Sequence, residues 1–177
     1  MKGTLLSDRV VVFDLREAKE LYSLGFYGKP LGENKPREVK SPLELSLIEA
    51  LYLQSKGVLE VIYGDRKLTT NELKAVGNSK SQRFDQLYYV YRDLRDKGYV
   101  VRSGAKYGSD FAVYTVGPGV EHAPYLVTVV DVRAKLSPTE LMGFGRVSHS
   151  VRKRLILAFV DAERERVEYV TFKWERV

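Results

Sequence analysis

The sequence contains no cysteine, and this absence removes several kinds of chemistry. It excludes a disulfide framework, a thiol nucleophile and a cysteine-based zinc site. Only two histidines occur in the 177 residues, so a histidine-based metal cluster is not expected either. A chain without cysteine suits a reducing compartment, and we expect a cytoplasmic location.

Long hydrophobic runs are also missing. No apolar run approaches the roughly 18 residues that a membrane-spanning helix needs. The amino-terminal stretch MKGTLLSDR lacks the apolar core of a signal peptide. We therefore expect neither a membrane anchor nor a secretion signal.

Apolar residues and positive charge are both plentiful. The hydrophobic content of 44% supports a packed core. Lysine and arginine number 29 against 23 acidic residues, which gives a net charge of +6. This balance is compatible with a polyanionic partner, although many basic proteins bind none.

The first half of the chain alternates helix and strand signals. A capping box of Ser41 and Glu44, with Pro42 at the first helical position, predicts a helix that ends at Gly57. The stretch 27–40 is polar and rich in turn residues, so we predict a surface loop there. Other patterns predict strands at 10–14 and 58–63, a helix at 16–24 and a capped helical turn at 69–72.

The second half reads as a long helix followed by strands. We predict a helix at 79–97 and strands at 99–102, 110–116, 124–131, 155–160 and 167–174. The last strand is apolar on both sides, so at a sheet edge it needs another chain as cover. The predicted class is α/β (α+β), with domains at 1–80 and 81–177.

A basic cluster joins a helix to a buried strand at 137–161. Ser137, Pro138 and Glu140 form a capping box that opens the helix. Four cations follow, and then an apolar run at 155–160 that suits a strand covered on both faces. Fixed positive charge there is what a phosphate site needs. A solvated helix end explains the same pattern.

Two further residues are candidates for chemistry. His122 lies in the Gly/Pro-rich loop GPGVEHAPYLV, directly before a predicted strand. Because histidine side chains titrate near pH 6.5, one in a loop is suited to proton transfer. Tyr114 lies eight residues earlier on another predicted strand, and it faces the same groove if the two strands pair. Alone, each residue fits an ordinary loop or core position.

Three segments together resemble the archaeal tRNA-intron splicing endonucleases. They are GYVVRSGAKYGSDFAVY, EHAPYLV and GFGRVSHSVRKRLILAFVD, in this order, and the resemblance covers nearly the whole chain. It implies a small amino-terminal α/β domain followed by a carboxy-terminal mixed-sheet nuclease domain.

The resemblance also implies roles for individual residues. The catalytic tyrosine, histidine and lysine of the family fall on Tyr114, His122 and Lys153. An arginine that helps to hold a bulged nucleotide falls on Arg146. A second such residue lies near the carboxyl terminus, where Trp174 or Lys173 is the candidate. His149 matches the pattern too, and its position within a helix indicates a structural role.

The implied reaction is metal-independent cleavage of precursor tRNA at a bulge-helix-bulge. The 2′-hydroxyl attacks its own phosphate, which gives a 2′,3′-cyclic phosphate and a 5′-hydroxyl without any cofactor. His122 is the acid and Lys153 the stabilising cation. Tyr114 is either the base or a group that orients the 2′-hydroxyl.

The loop at 27–40 resembles the longer loop of the crenarchaeal type. That type implies an α2β2 heterotetramer of two catalytic and two structural subunits, with a homotetramer as the runner-up. Lys40 and Lys35 are the candidate RNA contacts, although a tolerated insertion explains the length equally well. The acidic segment 161–166 is the candidate for docking into a basic pocket of another subunit.

Two rival functions remain at this stage. A noncatalytic RNA-binding or structural subunit of the same assembly shares the fold and lacks the three catalytic residues. A metal-dependent nuclease needs clustered carboxylates, and Asp110 and Glu121 are the nearest candidates.

Overall fold

The protein is described by a computed structural model that covers residues 1–33, 38–151 and 153–172, with backbone only at 148–151. The chain divides into two compact units, Met1–Asp85 and Gln86–Val177. Helices and mixed sheets occur together, which confirms the predicted α/β class. The domain limits 1–80 and 81–177 stay a prediction.

The first unit has one mixed sheet and three helices among its described residues. In chain order the elements are β1 (Lys2–Leu6), β2 (Arg9–Val12), α1 (Leu15–Gly25), β3 (Lys29–Pro30), β4 (Leu43–Ser46), α2 (Leu47–Ser55), β5 (Glu60–Tyr63), β6 (Arg66–Lys67) and α3 (Thr70–Lys80). The strand order is β3-β4-β2-β1-β5-β6, and only β1 and β5 run parallel. Its core is aliphatic, with Val10, Leu43, Leu45, Leu51 and Val61 almost completely buried.

The predicted start of the second helix is wrong. Residues 43–46 form β4, which pairs with β2, and the helix begins only at Leu47. Its cap is Ser46, whose side chain accepts from the Glu49 amide while the Glu49 carboxylate accepts from the Ser46 amide. The Ser-x-x-Glu pattern occurs twice between residues 41 and 49, and the alternation of apolar residues at 43 and 45 assigns the first copy to a strand.

Two other predictions need correction. The strand β1 was not predicted, and the predicted loop at 27–40 contains β3, which pairs with β4. The helix predicted at 79–97 is instead the end of α3 followed by α4 (Phe84–Asp96). The chain turns at Ser81, which is extended, and the Phe84 ring then packs against the bare backbone of Gly77. The prediction missed this break because Gly77 gives no local signal for a ring that returns seven residues later.

The second unit is a five-stranded sheet with a crossover helix. After α4 come β7 (Val100–Ser103), a 3-10 turn (Ala105–Tyr107), β8 (Phe111–Tyr114), β9 (Tyr125–Asp131), α5 (Pro138–Val151), β10 (Arg154–Asp161) and β11 (Arg166–Phe172). The strand order is β11-β10-β9-β8-β7. Since β9 and β10 are parallel, α5 serves as their crossover connection.

The predictions around α5 and β10 are confirmed. Ser137 caps α5, because its hydroxyl accepts from the Glu140 amide and its own amide donates to the Glu140 carboxylate. The following strand is central in the sheet, and Leu155, Leu157 and Val160 are almost completely buried. Leu155 and Leu157 lie on one face of β10 and Ala158 and Val160 on the other, and the burial of both faces explains the continuous apolar run that the sequence shows there.

The last described strand, β11, lies at one edge of the sheet and pairs only with β10 among the described strands. Val167 and Tyr169 are half-buried, whereas Val170 on the other face is 45% exposed. In the part of the chain that is described, no helix is long and apolar enough to cross a membrane.

Candidate functional site

Strand register brings the predicted catalytic residues together where β8 ends and where β9 and β10 begin. Tyr114 ends β8, one residue beyond the pair that Val113 makes with Tyr125 of β9. Lys153 lies one residue before Arg154, which pairs with the same Tyr125 from the other side. Because adjacent strands lie about 4.8 Å apart, the backbones of Tyr114 and Lys153 are roughly 10 Å apart, with residues 123–125 between them.

Lys153 is held against this middle segment. Its ammonium group donates a hydrogen bond to the carbonyl oxygen of Ala123, the residue after His122. The same nitrogen lies 5.1 Å from the centre of the Tyr107 ring, a cation–π contact. These two contacts fix the cation beside the loop that carries His122, although the two residues are 31 positions apart in the sequence.

His122 is exposed and makes no hydrogen bond or ion pair with any described residue. The backbone that carries it is ordered by its neighbour, Glu121. That carboxylate accepts from the Val116 amide at 2.6 Å, from the Thr115 hydroxyl at 2.9 Å and from the Gly117 amide at 3.3 Å. His122 therefore projects from a closed loop with its imidazole available to a ligand.

The same hydrogen bonds act on the charge of Glu121. Donation from the Val116 amide, and then from Thr115 and Gly117, lowers the pKa of the Glu121 carboxyl below its ordinary value. The loop also needs Gly119, whose φ of 88° lies in the region that favours glycine. The carboxylate is thus a structural part of the loop at neutral pH.

Tyr114 is buried, with 8% of its surface exposed. Burial raises the pKa of its hydroxyl above the ordinary value, and the positive charge of nearby Lys106 offsets this only in part. The hydroxyl is therefore protonated at neutral pH, and it can donate as well as accept a hydrogen bond.

Lys106 and Tyr107 belong to the segment GYVVRSGAKYGSDFAVY, but the sequence does not mark either of them as a site residue. The Lys106 ammonium lies 4.7 Å from the centre of the Tyr107 ring. A hydrogen bond with Tyr107 raises the pKa of Lys106. Tyr107 and Lys153 are 46 positions apart, so no local sequence pattern predicts their contact.

The predicted RNA-binding residues are spread over the chain. Arg146 is exposed on α5 and has no ion-pair partner among the described residues. Lys40 belongs to the first unit, where it is exposed beside the buried Val39 and forms an ion pair with Glu38 at 3.4 Å. Trp174, Lys173 and Lys35 lie outside the described residues, and so does the side chain of His149.

The loop at 31–42 that carries Lys40 has a fixed base. It connects the paired strands β3 and β4, and next to that pairing the Leu31 amide donates to the Pro42 carbonyl at 2.9 Å. The Ser41 hydroxyl donates to the Leu31 carbonyl at 2.8 Å. These bonds hold the loop at a defined point on the first unit.

The carboxylates that a metal site would require have other roles. Asp110 accepts from the Val129 amide at 2.7 Å, and Glu121 closes the loop before His122. Within residues 1–33, 38–151 and 153–172, no group of three or more histidine, aspartate and glutamate side chains is arranged to hold a metal ion.

The acidic segment 161–166 comprises the last residue of β10, the turn at 162–165 and the first residue of β11. Glu163 makes two hydrogen-bonded contacts with Arg133, at 3.1 and 2.7 Å, and Glu165 pairs with Arg92 at 3.4 Å. Both pairs are exposed, so they contribute little to stability. The two glutamates can therefore pair with other cations instead.

Both units match families of the same enzyme. Residues 1–74 match the N-terminal domain of tRNA intron endonuclease, and residues 84–171 match its catalytic C-terminal domain. The tRNA-splicing endonuclease of Sulfolobus acidocaldarius is 51% identical over 177 residues, which is 98% of each chain. Those of Sulfurisphaera tokodaii and Saccharolobus solfataricus are each 50% identical, over 98% and 100% of both chains respectively. The chain therefore belongs to the tRNA intron endonuclease family.

Proposed function

We propose that this chain is an endoribonuclease that excises introns from precursor tRNA by cutting at bulge-helix-bulge motifs. That the chain is an enzyme of tRNA intron removal follows from the family match over both units and from relatives named tRNA-splicing endonuclease. The cut site, the products and the independence from metal are the finer parts of the proposal.

The observation that carries the proposal is that a tyrosine, a histidine and a lysine suited to this chemistry lie together at the ends of β8, β9 and β10. Tyr114 and Lys153 flank the segment that begins at His122, and Lys153 is bonded to the carbonyl of Ala123. Cleavage by the 2′-hydroxyl of the RNA needs an acid and a cation from the protein, and no protein nucleophile.

The proposed step conserves atoms and charge. The 2′-hydroxyl loses its proton to solvent water, and its oxygen forms a bond to phosphorus while the bond from phosphorus to the 5′-oxygen breaks. His122 in its protonated form gives a proton to the leaving 5′-oxygen, and Lys153 stabilises the charge that develops on the phosphate oxygens. The products are a 2′,3′-cyclic phosphate and a 5′-hydroxyl, with no metal ion involved.

We assign Tyr114 an orienting role. A hydroxyl whose pKa is raised by burial is a poor base at neutral pH, but it can hydrogen-bond the 2′-hydroxyl and direct it toward phosphorus. Of the two roles that the sequence leaves open for Tyr114, base and orienting group, we therefore propose the second.

Recognition of the substrate is proposed to depend on shape. Unstacked bulge nucleotides can be held against planar groups, and Arg146 offers an exposed guanidinium on α5. Trp174 is the proposed second clamp, and Lys40 the proposed contact from the loop of the first unit. The assembly is proposed to be an α2β2 heterotetramer with a structural subunit, with the homotetramer second, in the cytoplasm.

The proposal is tested by competition between two RNAs with the same stem, one with a bulge-helix-bulge and one fully paired. We expect cleavage of the bulged RNA only. Arg146→Ala should lower its cleavage by about ten- to a hundredfold, because stacking contributes about 1–3 kcal/mol per base. Arg146→Lys, which keeps the charge without the planar group, should resemble Arg146→Ala. Equal cleavage of both RNAs would refute the proposed specificity.

A further inference from the structure

A second lysine lies close to the proposed cation of the site. The ammonium groups of Lys106 and Lys153 are 4.7 and 5.1 Å from the centre of the same Tyr107 ring, so they are at most about 10 Å apart. The charge of Lys106 also reaches Tyr114 at the end of β8. Lys106 therefore belongs to the surroundings of the proposed cleavage site, although it precedes β8 in the chain.

The charge of Lys106 is not neutralised within the described protein. The side chain is exposed, and it forms no ion pair with any described carboxylate. Like charges that share one ring repel each other, and the electron-rich ring face offsets this repulsion only in part. An anion bound beside the two ammonium groups would convert the repulsion into attraction.

We propose that Lys106 is an RNA-binding residue that contacts a backbone phosphate next to the scissile phosphate, with the Tyr107 ring holding it beside Lys153. The inference rests on the proposed function, since an RNA chain cut at Lys153 must carry its neighbouring phosphates past this ring. A lysine binds phosphate as a point charge and needs no planar geometry. The contact is therefore independent of RNA sequence.

The test measures the salt dependence of RNA binding. The probe is a bulge-helix-bulge RNA with 2′-deoxy sugars at both cut sites, which binds without being cut. It is titrated with the protein in the assembly that cuts the all-ribose RNA. Lys106→Gln should reduce the slope of log K against log[salt] by about two, since the assembly binds both cut sites and one phosphate contact is lost at each. Lys106→Arg should restore the slope, because it keeps the charge.

Lys135 is the matched control. It is exposed in the same unit and lies after β9, at the end of that strand opposite to Tyr125 and the site. Lys135→Gln removes the same charge and should leave the slope unchanged. Thermal melting should give equal midpoints for both variants, because neither side chain is buried.

Each outcome decides the matter. A wild-type slope in Lys106→Gln overturns the inference, and so does an equal loss of slope in Lys135→Gln, which would show a general charge effect. If the wild-type protein does not cut the all-ribose RNA at all, the proposed function fails and the inference fails with it. If cutting is normal and only the slope test fails, the proposed function stands without a role for Lys106.

Discussion

At the level of single residues, the protein holds its proposed acid and its proposed cation differently. Lys153 is fixed by the Ala123 carbonyl and the Tyr107 ring, whereas His122 is exposed and has no bonding partner among the described residues. A cation fixed before substrate arrives needs no reorganisation during the reaction. We expect the imidazole to gain its orientation from the ordered loop beneath it and from RNA when RNA binds.

The role of Tyr114 is tested by the pH dependence of cleavage. Because burial raises the pKa of its hydroxyl, a phenolate base would make the ratio of the wild-type rate to the Tyr114→Phe rate rise tenfold per pH unit up to at least pH 10, since the loss of protonated His122 lowers both rates equally. An orienting hydroxyl gives no such rise. We therefore expect that any increase in the single-turnover rate between pH 7 and 9, roughly the range over which tyrosine stays protonated, is the same in wild type and in Tyr114→Phe.

The expected variant rate is lower at every pH, by about a hundredfold, since orientation is lost. A ratio of wild-type to Tyr114→Phe rates that rises tenfold per pH unit would contradict the orienting role.

Sequence motifs nominated Tyr114, His122 and Lys153, and these assignments stay predictions of function. What the motifs could not supply is the set of contacts around them. The Tyr107–Lys153 contact and the Lys153–Ala123 bond join residues 46 and 30 positions apart. Such contacts depend on which strands are neighbours, and strand order is not encoded in any local pattern.

At the level of elements, capping signals were informative only where the pairing of strands agreed with them. The boxes at Ser137 and Thr69 do open helices. The box at Ser41 does not, because Leu43 and Leu45 are more deeply buried in a strand beside β2. Tertiary burial thus decides between two local signals of equal strength.

The loop between β8 and β9 gives a prediction about Glu121. Glu121→Ala removes the acceptor for the Val116 and Gly117 amides and should lower kcat by roughly a hundredfold through misplacement of His122. Glu121→Gln keeps one acceptor oxygen and should retain most of the rate. Substrate KM should change little in both, as measured by steady-state kinetics. Equal, wild-type rates in both variants would show that the carboxylate does not position His122.

The same loop should be insensitive to pH around neutrality. The pKa of Glu121 is lowered in the folded protein, so its stabilising effect is complete above the ordinary carboxyl value and is lost as pH falls through the lowered one. Between pH 6 and 8, roughly two units or more above carboxyl titration, the charge of Glu121 is constant.

At the level of the whole molecule, β11 leaves one strand edge of the second unit unpaired among the described strands. Its outward residue Val170 is 45% exposed, which suits a surface that another subunit covers. The family resemblance implies such an assembly, and the number and kind of its subunits stay predictions.

Substitution at this edge tests the assembly. Val170→Asp should shift the protein, alone or with the proposed structural subunit, toward smaller species in native mass spectrometry, because a carboxylate would be buried at the interface. Val132→Asp is the control, since Val132 is 50% exposed in the same unit and does not lie on β11. An unchanged mass distribution in Val170→Asp would exclude this face from the interface.

The proposed mechanism is metal-free cleavage by Tyr114, His122 and Lys153 at the strand ends of the second unit. The most direct measurement incubates the active assembly with a bulge-helix-bulge RNA in excess chelator and identifies the end groups of the products. We predict 2′,3′-cyclic phosphate and 5′-hydroxyl ends at an undiminished rate. His122→Ala, which should still bind the RNA and keep its melting midpoint, should lose at least about a hundredfold in rate. Loss of cleavage in chelator, restored by a divalent metal, or products with 5′-phosphate ends would contradict the mechanism.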